Sequence, residues 1–91
     1  DPATGEFAGD DIAAQTRQSL TNIQNILASE GLTMANVVKT TVLLKNISDF
    51  GAMNEVYATF FENDCPARAA FEVAALPKAA LVEIEAIAYA E

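Results

Sequence analysis

The sequence predicts an α+β domain in which a single β-sheet carries two helices on one face. The chain has 91 residues, of which 52% are hydrophobic, as in one small globular domain. Two segments repeat apolar residues at steps of three and four, and three others are β-branched or alternate apolar with polar residues. The order helix, strand, helix, strand, strand favours helices layered on one sheet face. We therefore treat residues 1–91 as one domain.

The first helix is predicted from about Asp11 to Glu30. Residues 1–9 have the composition of a turn, and Asp10 and Asp11 suit a helix start because carboxylates accept its unpaired N–H groups. Gly31 stands where a left-handed C-cap is expected. The apolar stripe of this helix consists of Ile12, Thr16, Leu20, Ile23 and Leu27.

The segment "VVKTTVLLKN" predicts the first strand, because it is rich in β-branched residues. Only one of its two faces carries a charge, so the other face is predicted to be buried. That uncharged face consists of Val38, Thr40, Val42 and Leu44. A second helix follows with Ser48 as its predicted N-cap, and the break comes near Asn63 and Pro66. Its predicted core stripe is Phe50, Met53, Tyr57 and Phe60.

Two further strands complete the predicted sheet. "ARAAFEVA" and "ALVEIEAIAYA" alternate side chains on two faces, and the turn "LPK" separates them. Three strands are few for covering two helices of about 30 residues in total. We therefore expect further strands before Asp1, a second subunit as cover, or both.

The composition argues against several classes of function. The net charge is −8, whereas nucleic acids and anionic membranes require clustered Lys and Arg. The chain has no run of about 20 apolar residues to span a membrane. With no histidine and a single cysteine, Cys65, it is not expected to bind zinc or haem or to use a Ser-His-Asp triad. The single cysteine and the absence of a signal-like segment favour a reducing, cytoplasmic location.

Arg68 is the most unusual residue of the strand segments. It is one of five cationic residues, and it lies among Ala67, Ala69 and Ala70 in a segment that otherwise predicts a core strand. One interpretation is a solvated arginine on an edge strand, with its stem on apolar surface. The alternative is a guanidinium that binds the carboxylate of a small substrate, because its N–H donors match a carboxylate in a way that lysine does not.

The other polar candidates are also open to more than one interpretation. Glu83 and Glu85 share one strand face, where they are either solvated, ion-paired with Arg68 or Lys78, or placed beside a bound substrate to hold water or move a proton. Asn54 is either an exposed helix residue or a hydrogen-bonding group on a cleft wall. Cys65 has acidic neighbours, so it is not expected to be a reactive thiolate.

The strings "VVKTTVLLKNISDF", "MNEVYATFF" and "PARAAFEVAALPKAALVEIEAIA" together resemble the Rid (YjgF) family of enamine/imine deaminases. The resemblance extends over essentially the whole chain. It implies a chorismate-mutase-like fold that assembles as a homotrimer with clefts between subunits. It also implies hydrolysis of 2-imino acids and their enamine tautomers to 2-oxo acids and ammonia, with no cofactor.

The resemblance also assigns roles to residues of this chain. Arg68 matches the arginine that binds the substrate carboxylate, and Ala70 matches a position whose backbone N–H assists it. Glu83 matches the acid that orients the attacking water, and Asn54 matches a polar cleft residue. Ala70 is often cysteine in the family, but a backbone role tolerates alanine.

Two further expectations follow from the resemblance. Family members ordinarily begin with two more strands, so we expect roughly a third of a typical domain to be absent before Asp1. The rival hypothesis for function is a non-enzymatic module that senses carboxylate metabolites or a partner protein in the same clefts. The family also includes claims of nuclease and translation-inhibiting roles, which the net charge makes the weakest alternative.

Overall fold

The computed structural model describes residues 11–61 and 65–89. The predicted turn at residues 1–9, Asp10 and Asn63 lie outside the described residues. The helices are α1 (Ile12–Ser29) and α2 (Phe50–Phe60), and the strands are β1 (Val37–Leu44), β2 (Ala67–Glu72) and β3 (Val82–Ala88). The predicted order of elements is confirmed over these ranges.

The described strands form one mixed sheet in the order β2-β1-β3. β1 and β2 are parallel and are joined through α2, whereas β1 and β3 are antiparallel. β1 is therefore central, and each of the other two strands has one edge that no described strand pairs. This mixed α+β sheet confirms the predicted fold class.

Both ends of α1 follow from local side-chain and backbone chemistry. Asp11 is the N-cap, and its Oδ1 accepts a hydrogen bond of 2.7 Å from the backbone N–H of Ala14. At the other end Gly31 has φ +73°, and Leu32 N–H donates to the carbonyl of Leu27 at 2.8 Å. This is a Schellman motif, which satisfies carbonyls that the helix leaves unpaired. The predicted start and C-cap of α1 are thus confirmed.

The core lies between the helices and one face of the sheet. Leu20 of α1, Met53 of α2, and Val42 and Leu44 of β1 are fully buried. The predicted stripe of α1 faces this core, with Ile23 only partly buried. In α2 the centre of the predicted stripe is buried, whereas Phe50 and Phe60 at the ends are half-buried and pack against it.

Two local predictions were wrong. Val38 is 50% exposed, because a β-bulge between Val37 and Lys39 shifts the alternation by one residue and buries Val37 instead. Ser48 is not an N-cap. It lies inside a 3₁₀ turn (Ile47–Asp49) that leads into α2, and the carboxylate of Glu72 on β2 accepts the N–H of Ile47 at 2.8 Å. The start of α2 is therefore stabilised from a neighbouring strand, which local sequence does not reveal.

The sheet face opposite the helices stays open in the described chain. Leu43 of β1, Phe71 of β2, and Glu83 and Ile87 of β3 belong to this open face by register. Phe71 is 55% exposed and Ile87 60% exposed. Large apolar side chains on a sheet face are normally covered, so this open face is available to another chain.

Candidate functional site

Arg68 lies on β2, on the sheet face that carries the helices. It is paired in register with Thr40 of β1, whose side chain is buried under α2. Neighbouring residues in register point to the same face, so the side chain of Arg68 extends toward α2 rather than toward the open face. Arg68 is exposed as a residue, but it is not free in solvent, because three side chains of α2 contact it.

Two aromatic rings hold the guanidinium of Arg68. Its Cζ atom lies over the ring of Tyr57, 4.7 Å from the centroid, and over the ring of Phe50, 5.1 Å from the centroid. Both separations are within the range of cation–π attraction. Arg68 Nη1 also donates a hydrogen bond to Oδ1 of Asn54. A guanidinium has more N–H donors than this bond uses, so the group can still bind an anion.

The three contacting residues belong to one side of α2 because of their spacing. Phe50, Asn54 and Tyr57 are separated by four and three residues, which places them on the same helix face. The ring of Tyr57 is fixed at its far end, because its hydroxyl is hydrogen-bonded to Thr40 Oγ1 at 2.7 Å. Tyr57 also packs against Phe61, with ring centroids 4.7 Å apart. The support beneath Arg68 is therefore part of the core.

A cavity of about 390 Å³ opens beside the guanidinium. Its lining residues are Asn54, Tyr57, Ala58, Cys65, Pro66 and Arg68. Most of them are small or apolar, and the positive charge comes from Arg68. Such a cleft suits a small molecule with one carboxylate and a short side chain.

Ala70 follows Arg68 on the same face of β2 and is half-buried. Val73 donates its backbone N–H to the carbonyl of Leu44 on β1 at 2.9 Å. Backbone groups alternate in direction along a strand, so the N–H of Ala70 points away from β1, toward the edge of β2 that no described strand pairs. This is the direction in which the backbone of Ala70 could bind an anion held by Arg68.

Within one folded chain, Glu83 does not lie beside Arg68. It pairs with Leu43 of β1, so its side chain belongs to the open face, whereas Arg68 belongs to the helix-bearing face. Glu85 shares the open face with Glu83 and is exposed. The predicted ion pair between Arg68 and either glutamate of the same chain is therefore wrong, because the glutamates lie on the opposite face of the sheet from Arg68. A second cavity of about 220 Å³, between α1 and the free edge of β3, is lined in part by Glu83 and Gln15 and does not reach Arg68.

Cys65 is the remaining residue considered in the sequence. Cys65 is exposed beside the Arg68 cavity, and its thiol contacts the carbonyl of Phe61 at 3.3 Å.

In residues 11–61 and 65–89 no group of three or more His, Cys, Asp or Glu side chains is arranged to hold a metal ion. Over the same residues, neither helix is long and apolar enough to cross a membrane.

Comparison with known proteins identifies the family. Residues 1–90 match the sequence profile of the family described as Endoribonuclease L-PSP, which includes the YjgF protein of E. coli. The chain belongs to the Rid (YjgF) family. The resemblance of the sequence to the Rid family is thus confirmed by a match over nearly the whole chain.

Several relatives of this Rid chain are about half identical to it. It is 51% identical over 88 residues to a protein of Rattus norvegicus named 2-iminobutanoate/2-iminopropanoate deaminase, covering 97% of this chain and 64% of the rat protein. It is 55% identical over 91 residues to the RutC family protein PH0854 of Pyrococcus horikoshii, covering all of this chain and 72% of that protein. The Rid chain thus spans about two thirds of the length of the curated relatives it matches.

A solved structure supports the same relationship at the level of fold. The crystal structure of E. coli TdcF with bound serine superposes on this Rid chain with a TM-score of 0.93 and 40% sequence identity. The match covers 99% of this chain and 72% of the TdcF chain. The observed α+β arrangement is therefore that of the family.

From the sequence, Phe50 and Tyr57 are predicted only as core residues, and their contact with Arg68 is not predicted. Tyr57 is buried, and its ring also faces the guanidinium, so this one side chain belongs both to the core and to the candidate site. The available signal was the spacing of Phe50, Asn54 and Tyr57 on one helix side, which placed a candidate cleft residue between two aromatic rings.

Proposed function

We propose that this protein hydrolyses reactive 2-imino acids and their enamine tautomers to 2-oxo acids and ammonia. The observation that carries the proposal is the guanidinium of Arg68, fixed by Tyr57, Phe50 and Asn54 at the mouth of a small cavity. An immobilised arginine is suited to a carboxylate because little further side-chain freedom is lost on binding. The name of the rat relative, a deaminase of two such imino acids, supports the same chemistry.

The proposed reaction requires positioning more than strong catalysis. The carbon of a protonated imine is already electrophilic, so water adds to it to form a carbinolamine. The attacking oxygen loses its first proton to form the carbinolamine, and the nitrogen is then protonated. As the C–N bond breaks, the remaining hydroxyl proton is lost, which releases ammonia and the 2-oxo acid. Arg68 and the backbone N–H of Ala70 hold the carboxylate, and Asn54 fixes the guanidinium. Glu83 orients the water and accepts its proton.

The location of Glu83 has a consequence for assembly. In one chain it lies on the opposite sheet face from Arg68, so the proposed site requires Glu83 from a second copy. The open face, with Phe71 and Ile87 more than half exposed, is the surface we assign to that copy. A closed ring of three copies, the homotrimer expected from the family, would place one such site at each subunit boundary.

Activity can be tested with the full-length protein and freshly generated 2-iminobutanoate. We expect faster release of 2-oxobutanoate than in buffer. Arg68→Ala should abolish this acceleration and leave the assembly intact, since Arg68 is exposed and contributes little to the core. Arg17→Ala, which removes an exposed cation from α1, is the matched control and should keep full activity. A folded assembly without acceleration would contradict the proposed function.

The rival hypothesis is a sensor that binds carboxylates in the same cleft without turnover. The bound serine in the TdcF structure shows that an amino acid can be held by that relative, which is compatible with either hypothesis. Calorimetry with 2-oxobutanoate separates them. Binding that depends on Arg68, together with no hydrolysis of any imine, would favour the sensor. The cytoplasmic location remains a prediction.

A further inference from the structure

The guanidinium of Arg68 is held by a support that extends into the core. Tyr57 is 3% exposed and Thr40 is 1% exposed, and their hydroxyl groups are hydrogen-bonded to each other at 2.7 Å. This pair joins α2 to β1 directly beneath Arg68, which is paired with Thr40 in the sheet. The position of the ring under the guanidinium is therefore set by a buried polar contact and not by packing alone.

A buried hydroxyl pair that is satisfied contributes little net stability, and replacing both partners with apolar groups of the same shape can be nearly neutral. A phenylalanine and a valine would fill these positions about as well, so stability alone does not explain the pair. The ring of Tyr57 lies 4.7 Å from the Cζ atom of Arg68, and a swing of the side chain about its Cα–Cβ bond would carry this flat surface away from the cation. The hydrogen bond to Thr40 opposes that swing, because it holds the hydroxyl at the far end of the ring.

We propose that the Thr40–Tyr57 hydroxyl pair is a positioning device that fixes the direction of the Arg68 guanidinium for carboxylate binding. This inference rests on the proposed function for the identity of the ligand, but not for the ordering of Arg68 itself. Tyr57 and Thr40 act through Arg68 and are positioning residues. Phe50 supplies a second ring surface, and its half-buried location makes it the less constrained of the two.

Two measurements on the full-length protein test the device. The first is the order of the Arg68 side chain, from the ¹⁵N relaxation of its Nε–H group in the absence of ligand. The second is the Kd for 2-oxobutanoate, accompanied by KM and kcat for 2-iminobutanoate. The variants are Tyr57→Leu, Tyr57→Phe, Thr40→Val and the double variant Tyr57→Phe with Thr40→Val.

The matched control is Phe61→Leu. Phe61 is also buried and packs against the ring of Tyr57, but it does not carry the guanidinium. It should lower thermal stability about as much as Tyr57→Leu does, since both remove a buried ring. A purely structural role for Tyr57 predicts that the two variants affect Arg68 and the Kd equally.

We expect Tyr57→Leu to mobilise the Arg68 Nε–H group and to raise the Kd roughly tenfold, as the loss of a partly desolvated cation–π contact implies. KM should rise and kcat should change little, because Tyr57→Leu leaves the guanidinium in place and weakens its hold on the carboxylate in the substrate and transition state alike. Tyr57→Phe and Thr40→Val should each raise the Kd about threefold. The double variant should be no worse than either single one, because both remove the same hydrogen bond.

The inference is overturned if Arg68 is equally ordered in the wild type and in Tyr57→Leu, or if Phe61→Leu raises the Kd as much as Tyr57→Leu does. Additive effects of Tyr57→Phe and Thr40→Val would overturn the role of the hydroxyl pair. If Arg68 is ordered through Tyr57 but the wild type neither binds 2-oxobutanoate nor hydrolyses an imine, the positioning device stands and the proposed function fails.

Discussion

If the proposed site takes Arg68 from one copy and Glu83 from the next, two inactive variants should restore each other. Arg68→Ala removes the carboxylate-binding group, and Glu83→Gln removes the proton acceptor. Each homogeneous assembly then lacks one group at every site. The prediction depends on the register of the sheet, which puts the two residues on opposite faces of one chain.

The magnitude follows from the geometry of a closed ring of three copies. Going around a mixed trimer, one boundary joins the intact Arg68 of a Glu83→Gln copy to the intact Glu83 of an Arg68→Ala copy. This holds for either two-to-one composition, so each mixed trimer should retain about one third of wild-type activity. If both groups came from the same copy, no intact site would form.

The assay uses co-expression of the two variants with different affinity tags. Assemblies that carry both tags are purified in two steps, and the release of 2-oxobutanoate from 2-iminobutanoate is measured per assembly. The two homogeneous variants, each prepared with both tags, supply the background. Doubly tagged assemblies with no more activity than that background would refute the shared site, as would full activity of Glu83→Gln alone.

Further predictions concern two backbone positions, one cap and the surface charge. Ala79 has φ +55°, a left-handed conformation that costs an L-residue about 1 kcal/mol, so Ala79→Gly should raise the free energy of unfolding by up to that amount in urea denaturation. Gly31→Ala should lower the free energy of unfolding by about 1 kcal/mol. A Cβ at this position meets nothing within 4 Å, so only the φ of +73° opposes the alanine. An unchanged urea midpoint would therefore contradict the C-cap argument. Glu72→Ala should lower the free energy of unfolding by about 1 kcal/mol, because it removes the carboxylate that accepts the N–H of Ile47. Glu55→Ala, on the exposed surface of α2, is the control and should leave the free energy unchanged. Equal losses in the two variants would refute the capping role of Glu72. With a net charge of −8, the protein should neither bind nor cleave single-stranded RNA at about 0.1 M salt, and specific cleavage in a gel assay would contradict this.

The elements of the fold could be predicted because their signals are local. The three- and four-residue spacing fixed α1, and Asp11 and Gly31 marked its ends because capping depends on a few neighbouring residues. The start of α2 could not be found in this way, since the 3₁₀ turn that leads into it is held by Glu72, which is 25 residues from Ile47 in the chain. The burial of Val38 was also mispredicted, because a bulge is set by pairing with another strand.

The site was predicted as a list of residues but not as an arrangement. Arg68 stood out as a cation in an apolar strand, and Asn54 as a weak helix former within a predicted helix. The structure joins them by a hydrogen bond. The same sequence gave no sign that Glu83 lies across the sheet, because the face of a residue depends on which strands pair and in what register.

By itself, the amino-acid sequence determined the order of helices and strands, the acidic surface and the residue types available for chemistry. These follow from the spacing and charge of neighbouring residues, which are fixed once the chain is written. Only the tertiary structure decided that Tyr57 lies beneath the guanidinium and that Thr40 holds it there. Contacts between α2, β1 and β2 depend on how the chain packs, and one packed arrangement selects among many that the local pattern allows.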